Sequence, residues 1–200
     1  AGGKVIVRGS KPTERPLKDA AKEAKFGEIS KLAKRQDDYE GFAMAGGSMS
    51  ISRHGLGGVQ FAEVAVDTET GIVKVLRIVA ANDCGRPINP KLIESQVMGG
   101  ILQGVGYALY EDRVLDAASG HQLNANIDQY KMVGSRETPE IEVMIIEQIG
   151  AQSSTDARGV AEACNVATSA AIANAFYNAT GKRIRTLPMN PSNVLAALRA

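Results

Sequence analysis

Phe61-Ala62-Glu63-Val64-Ala65-Val66, followed by Asp67-Thr68-Glu69-Thr70-Gly71 and then Val73 to Ala81, is the stretch that decides the fold. Its first six residues alternate with period two, as a strand does. The next five read as a turn, with Gly71 free to take a positive φ. Residues 73 to 81 return as a long strand rich in β-branched residues. Two such strands joined by a short loop make an antiparallel hairpin. Asp83-Cys84-Gly85-Arg86 ends the second strand.

Downstream, Asn89-Pro90 combines an N-cap residue with a proline in the first helical position. Leu92, Ile93, Val97, Ile101, Val105, Ala108 and Leu109 then recur at three- and four-residue steps, which predicts one long helix with a buried stripe. That helix contains Gly99, Gly100, Gly104 and Gly106. Each costs roughly 1 kcal/mol against alanine in a helix interior. So many in one helix imply that something bulky comes close to the backbone, either another element or a ligand. Ile141 to Glu147 reads as a further strand, Val166 to Ala179 as a small-residue helix capped by Gly181, and Lys182 to Leu187 as a short strand. Asn190-Pro191 repeats the cap signature ahead of a last helix through Val194, Leu195 and Leu198. A hairpin with a long Gly-rich helix and separate C-terminal helices favours an α+β fold over a doubly wound α/β one.

Upstream, Lys4 to Arg8 alternates and reads as a short strand, broken at Lys11-Pro12-Thr13. Pro16 suits the first turn of a helix through Leu17, Ala20, Ala21 and Ala24. Residues 25 to 58 show little periodicity and read as an irregular connection. The expected organisation is an irregular, partner-facing segment over residues 1–57 and a C-terminal subdomain over residues 58–200. The first residues carry no signal-peptide pattern. A chain that starts at Ala1 reads as a processed subunit or a piece of a longer chain. No apolar run reaches the length of a transmembrane helix. With 23 basic against 22 acidic residues the net charge is +1, which gives no reason to expect nucleic acid as a partner. The basic residues near the N-terminus are interleaved with Glu14, Asp19, Glu23 and Glu28, as on a solvated face.

Few residues offer chemistry. Glu162 stands alone among the small and apolar residues of the Asp156 to Cys164 stretch. Burial would disfavour its charged form and suit a general base. Equally, an acid ahead of a helix complements the macrodipole. Gln103, on the Gly-rich helix, can hold out a donor and an acceptor to a flat heterocycle, or is a surface residue beside glycine-mediated packing. The run around it is not a dinucleotide fingerprint, because it lies within a helix. Cys84 beside Arg86 is a reactive thiol or a half-buried residue of a strand-end turn. Cys84 and Cys164 stand far apart, with no CxxC and no histidine at ligand spacing, so no metal-ligand set is expected. They are two buried thiols or a disulfide. His54 and His121 have no evident partners. There is no nucleophile elbow and no phosphate loop.

One ordered set of segments carries a resemblance. It comprises Phe61-Ala62-Glu63-Val64 with its turn, Asp83-Cys84-Gly85-Arg86-Pro87-Ile88-Asn89-Pro90, Gln103-Gly104-Val105-Gly106-Tyr107-Ala108-Leu109, Pro139-Glu140-Ile141-Glu142-Val143, Gly159-Val160-Ala161-Glu162, Ala170-Ala171-Ile172-Ala173-Asn174-Ala175 and Thr180 to Pro188. Over roughly residues 58 to 198 the chain resembles the C-terminal part of the molybdopterin-binding subunit of molybdenum hydroxylases, the family of xanthine dehydrogenase and aldehyde oxidase. The resemblance implies a second molybdopterin-binding subdomain. It implies oxidation of an aldehyde or an N-heterocycle, with water supplying the oxygen. It places the family's pterin-contacting glutamine on Gln103, beside Gly104. The family's catalytic glutamate ends a Gly-Val-Gly-Glu motif, which falls on Gly159, Val160, Ala161 and Glu162, so Glu162 becomes the expected base. Ala161 stands where the family usually has glycine, and Ala163-Cys164 replaces a frequent Pro-Pro pair. The implied cofactor is molybdopterin, shared with an earlier region of a longer chain. The implied partners are that region, an iron–sulfur subunit and, optionally, a FAD subunit, with a small molecule as substrate. This chain alone is expected to be inactive. The alternative is a binding or assembly module that keeps the fold without the chemistry.

Overall fold

The computed structural model describes residues 4–7, 13–23, 57–147 and 156–200. The chain divides into two compact units, residues 1–52 and 53–200. In the first, β1 (Lys4–Val7) pairs antiparallel with β2 (Thr13–Pro16), and α1 (Leu17–Glu23) follows directly. The expected strand and helix are both present. The second strand was not expected, because Thr-Glu-Arg-Pro lacks an apolar alternation and is recruited by pairing with Val5 to Val7. The irregular connection expected over residues 25–58 falls almost entirely outside the described residues.

The second unit is built on the expected hairpin. β3 (Gly58–Val66) pairs antiparallel with β4 (Val73–Asp83). Between them, the Asp67 carboxylate accepts from the Glu69 and Thr70 amides at 2.9 and 3.1 Å, and Gly71 takes φ +76°. Those backbone and side-chain bonds from Thr70, with that from Glu69, hold the Asp67 carboxyl below its usual range. A β-bulge sits opposite Glu63/Val64, where Leu76 is the extra residue of β4. It explains the burial of β4: Val73 and Val75 face inward before it, Ile78 and Ala80 after it.

β5 (Glu140–Ile146) lies on the other side of β4 and runs parallel to it, from Arg77↔Glu140 to Asp83↔Ile146. The sheet is therefore mixed rather than purely antiparallel, in the order β3-β4-β5, with the expected antiparallel hairpin as two of its three strands. A parallel neighbour needs a long crossover, and the helix α2 (Pro90–Leu109) provides it. Asn89 caps α2 by accepting from the Leu92 amide at 3.2 Å, with Pro90 behind it, as the dipeptide predicts. α3 (Thr168–Thr180) ends on Gly181 in the left-handed region, and α4 (Pro191–Arg199) starts from Asn190, which accepts from the Asn193 amide at 2.9 Å.

The core joins Val73, Val75, Ile78 and Ala80 of β4 to Val97, Ile101, Val105 and Ala108 of α2 and to Ile172 and Phe176 of α3, with Met189 and Val194 closing the α4 side. Each of the largest of these contributes about 1.5–3 kcal/mol on burial. Leu92, expected in the buried stripe of α2, is exposed, because the core contacts of α2 begin further along the helix, at Ile93 and Val97. The outer face of the sheet leaves Val59, Phe61, Met144 and Ile146 exposed, Phe61 at 66%. Residues 182–187 form no strand. Arg183 there turns back over α3, its guanidinium 3.8 Å from the Tyr177 ring and bonded to Asn174 at 2.7 Å. The backbone then docks on α2 through the Met189 amide and the Ala108 carbonyl, so no neighbouring strand is offered.

Candidate functional site

Residues 156–168 are held against the sheet and against α2 at several points. Asp83 ends β4, and its carboxylate accepts from the Gly85 amide at 2.7 Å and from Arg158. The Arg158 amide donates to the Cys84 carbonyl at 3.0 Å, and the Arg86 amide to the Asp156 carbonyl at 2.9 Å. Gly85 takes φ +64°, and a Cβ there would meet the Asp156 carbonyl oxygen at 2.0 Å, so glycine is required on both counts. The Asp83-Cys84-Gly85-Arg86 segment is thus a clasp for residues 156–158.

Cys84 is fully buried rather than half-buried, and both cysteines are free thiols. Burial first, and then the Asp83 charge, pushes the Cys84 thiol up; burial and the neighbouring Cys84 push Cys164 up. Raised thiols hold their protons and react slowly, so the reactive alternative for Cys84 is set aside. Beside the clasp lies an open, mainly apolar groove of about 200 Å³, bordered by Arg86, Ile88, Leu92, Ile93 and Val160.

After Val160 the chain makes a 3-10 turn, Glu162–Cys164, closed by the Asn165 amide on the Glu162 carbonyl at 3.1 Å. Glu162 and Gly159 are exposed, and so is Ala161. The burial expected of Glu162 is not supplied by this chain. Nor does Glu162 stand in the first turn of α3, which begins at Thr168 and has no acid there, so the macrodipole reading loses its geometry. Ala161 has φ −65° and ψ −77°, right-handed helical values, so alanine in place of glycine is unstrained.

The glycines of α2 divide. A Cβ on Gly100 would lie 2.7 Å from the Cys164 Cβ, and one on Gly104 would lie 2.4 Å from the Thr168 Cβ. Here the bulky neighbour is another element of the chain. Gly99 has nothing within 4 Å of a built Cβ, and neither has Gly159. Gly99 and Gln103 are four residues apart and share a helix face. Gln103 is exposed, and its Oε1 accepts from Asn165 Nδ2 at 2.8 Å. The two segments singled out in the sequence are therefore joined by a bond between residues 62 apart in the chain. Gly104 belongs to the packed side, under Thr168, and not to the exposed one.

Sequence reasoning missed two residues of this region. Asn165 bridges the turn to Gln103, and nothing in its local pattern marks it. Gln60 is buried on the inner face of β3, bonded to the Cys164 carbonyl and the Thr168 hydroxyl. Its signal was readable: a polar residue in phase with Ala62, Val64 and Val66. His121 is exposed in a loop whose bonds are local. Among the described residues no three or more His, Cys, Asp or Glu side chains gather as a metal set, and no helix is long and apolar enough to cross a membrane.

Comparison with known proteins adds the following. A family model described as a molybdopterin cofactor-binding domain matches residues 1–139. That stretch includes Gln103 and ends before Gly159. The xanthine dehydrogenase molybdenum-binding subunit of Escherichia coli is 36% identical over 137 residues, 68% of this chain and 18% of that subunit. The aldehyde oxidoreductase molybdenum-binding subunit of Escherichia coli is 39% identical over 139 residues, 69% of this chain and 19% of that subunit. Among solved structures, the aldehyde oxidoreductase of Desulfovibrio gigas is similar with a TM-score of 0.66 and 32% identity, over 72% of this chain and 16% of the other. The chain spans under a fifth of the length of these curated relatives.

Proposed function

Because the chain belongs to the molybdopterin cofactor-binding domain family of the molybdenum hydroxylases, we propose that it supplies one wall of the cofactor site of a complete enzyme that oxidises an aldehyde or an N-heterocycle with water as the oxygen source. The observation that carries this reading is that the segment holding Gly159, Val160, Ala161 and Glu162 runs along α2, with the Ala161 carbonyl beside Gly100 and Asn165 bonded to Gln103.

The donor set fits a flat, polar cofactor. Gln103 offers amide N–H groups, since its oxygen is already engaged by Asn165. Bare backbone at Gly99 and Gly159 leaves room for a ring system to approach. Val160 and Ala161 line the approach to Glu162. We assign Gly104 to support rather than contact, because it admits Thr168. The molybdenum cofactor, when bound, supplies the two-electron oxidation. Glu162 then accepts, at a carboxylate oxygen, the proton of the water-derived nucleophile. Its exposure here fits a side chain that a further region of the protein covers. Against this wall we place the rest of the molybdenum chain, with an iron–sulfur partner and, optionally, a FAD partner beyond it.

The test is Glu162→Gln in the complete enzyme, with turnover expressed per bound molybdenum. Glutamine keeps the shape and cannot take the proton, so turnover should fall by about two to four orders of magnitude at near-normal molybdenum content. Retention of more than about a tenth of turnover, against that loss, removes Glu162 as the base.

A further inference from the structure

We infer that Gln60 is a positioning residue that fixes the heading of Glu162, an inference that rests on Glu162 being the proton acceptor. An amide on the inner face of a strand is costly unless both of its ends are bonded. Gln60 is 7% exposed and has both. Its Nε2 donates to the Cys164 carbonyl at 2.5 Å, and its Oε1 accepts from the Thr168 hydroxyl at 2.7 Å. Both partners are buried, and both lie just beyond Glu162. A donor and an acceptor at one position are needed to catch a carbonyl and a hydroxyl together, which neither an apolar residue nor a carboxylate provides.

The turn needs that anchor. It has three residues of 3-10 helix, whose bonds are poorly aligned. Its amide bonds run 3.4 Å from Cys164 to Ala161, 3.1 Å from Asn165 to Glu162 and 3.2 Å from Thr168 to Asn165. α3 begins with no side-chain cap at Ala167. Gly100 and Gly104 of α2 press on Cys164 and Thr168 from one side, and Gln60 of β3 holds the same two residues from the other. Glu162 is carried on a turn clamped between helix and sheet.

The experiment uses the complete protein carrying Gln60→Met, which keeps the length and deletes both bonds, or Thr168→Val, which deletes one. Thr168→Val serves as the probe if Gln60→Met fails to fold. Hydrogen exchange of the cofactor-free protein should quicken about tenfold at the Asn165 and Thr168 amides for the loss of such bonds, with the β3–β4 amides around Asp67 unchanged. Turnover per molybdenum should fall about tenfold with KM within about twofold, the mark of an interaction felt in the reaction and not in substrate binding. Unchanged exchange at 165 and 168 in both variants, or an equal rise throughout the unit, overturns the anchor whatever Glu162 does. If Glu162→Gln keeps its turnover while the turn still loosens, the anchor stands and the base assignment is what fails.

Discussion

The two sides of α2 make opposite use of the same residue type. On one side Gly100 and Gly104 are spaces filled by Cys164 and Thr168. On the other, Gly99 faces open space next to the exposed Gln103. A missing side chain is a packing device in the first case and a bare approach in the second. The difference teaches that glycine content announces a close approach without saying what approaches; the partner has to be found on the far element.

This contrast can be broken by substitution. Gly104→Val should cost about 3 kcal/mol, the upper end for overpacking, because its branches enter the space of Thr168. A urea midpoint equal to that of the parent would mean that the packed side yields. Gln103→Ala should leave that midpoint alone and lower molybdenum occupancy in the complete enzyme by up to about tenfold, the worth of a lost hydrogen bond. Normal occupancy on metal analysis removes Gln103 from the cofactor wall. Gly100→Ala should lose a net of about 1 kcal/mol, overpacking against Cys164 being offset in part by better helix propensity. Gly99→Ala should have the reverse sign, gaining up to about 1 kcal/mol in the cofactor-free protein. A loss there on thermal unfolding would show that side to be closed.

The smallest effect belongs to the thiols behind the packed side. Their folded pKa values lie above the free value, so the native state keeps protons that the unfolded chain gives up. Their contribution is intact below the free thiol value of about 8.5 and is lost as pH climbs from there through the raised native values. Alkylation of Cys84 and Cys164 at pH 8 should accordingly be slow until denaturant is added. Rapid labelling of the native protein would contradict their burial.

Much of the fold was legible because local and long-range signals agree. The Asp67 to Gly71 turn, the Asn89-Pro90 and Asn190-Pro191 caps and the Gly181 terminator each encode their geometry within a few residues. The failures share one cause. The parallel pairing of β5, the pairing of Thr13 to Pro16 and the absence of a strand at Lys182 to Leu187 are all decided by the neighbour and not by the segment. For the candidate site, the sequence marked Gln103 and Glu162 and was silent on Asn165, which joins their segments. It also assigned to Glu162 a burial that this chain does not provide, since an apolar neighbourhood in sequence is no guarantee of cover in space.

The extra residue at Leu76 acts on β4 as a frameshift acts on a message. Up to that point the strand is read in the phase set by the hairpin turn, and beyond it in the opposite phase. The bulge absorbs that insertion, so that Ile78 and Ala80 still turn inward, the register with β5 runs from Arg77 onward and Asp83 meets Arg158. Deleting Leu76 would leave the turn at Asp67 to Gly71 intact and let Arg77 follow Val75 directly, which removes the bulge and keeps Ile78 and Ala80 inward. The phase restored at Leu76 is thereby kept over about 23 Å of strand, at about 3.3 Å per residue for the seven residues to Asp83, where β4 meets the segment that leads to Glu162.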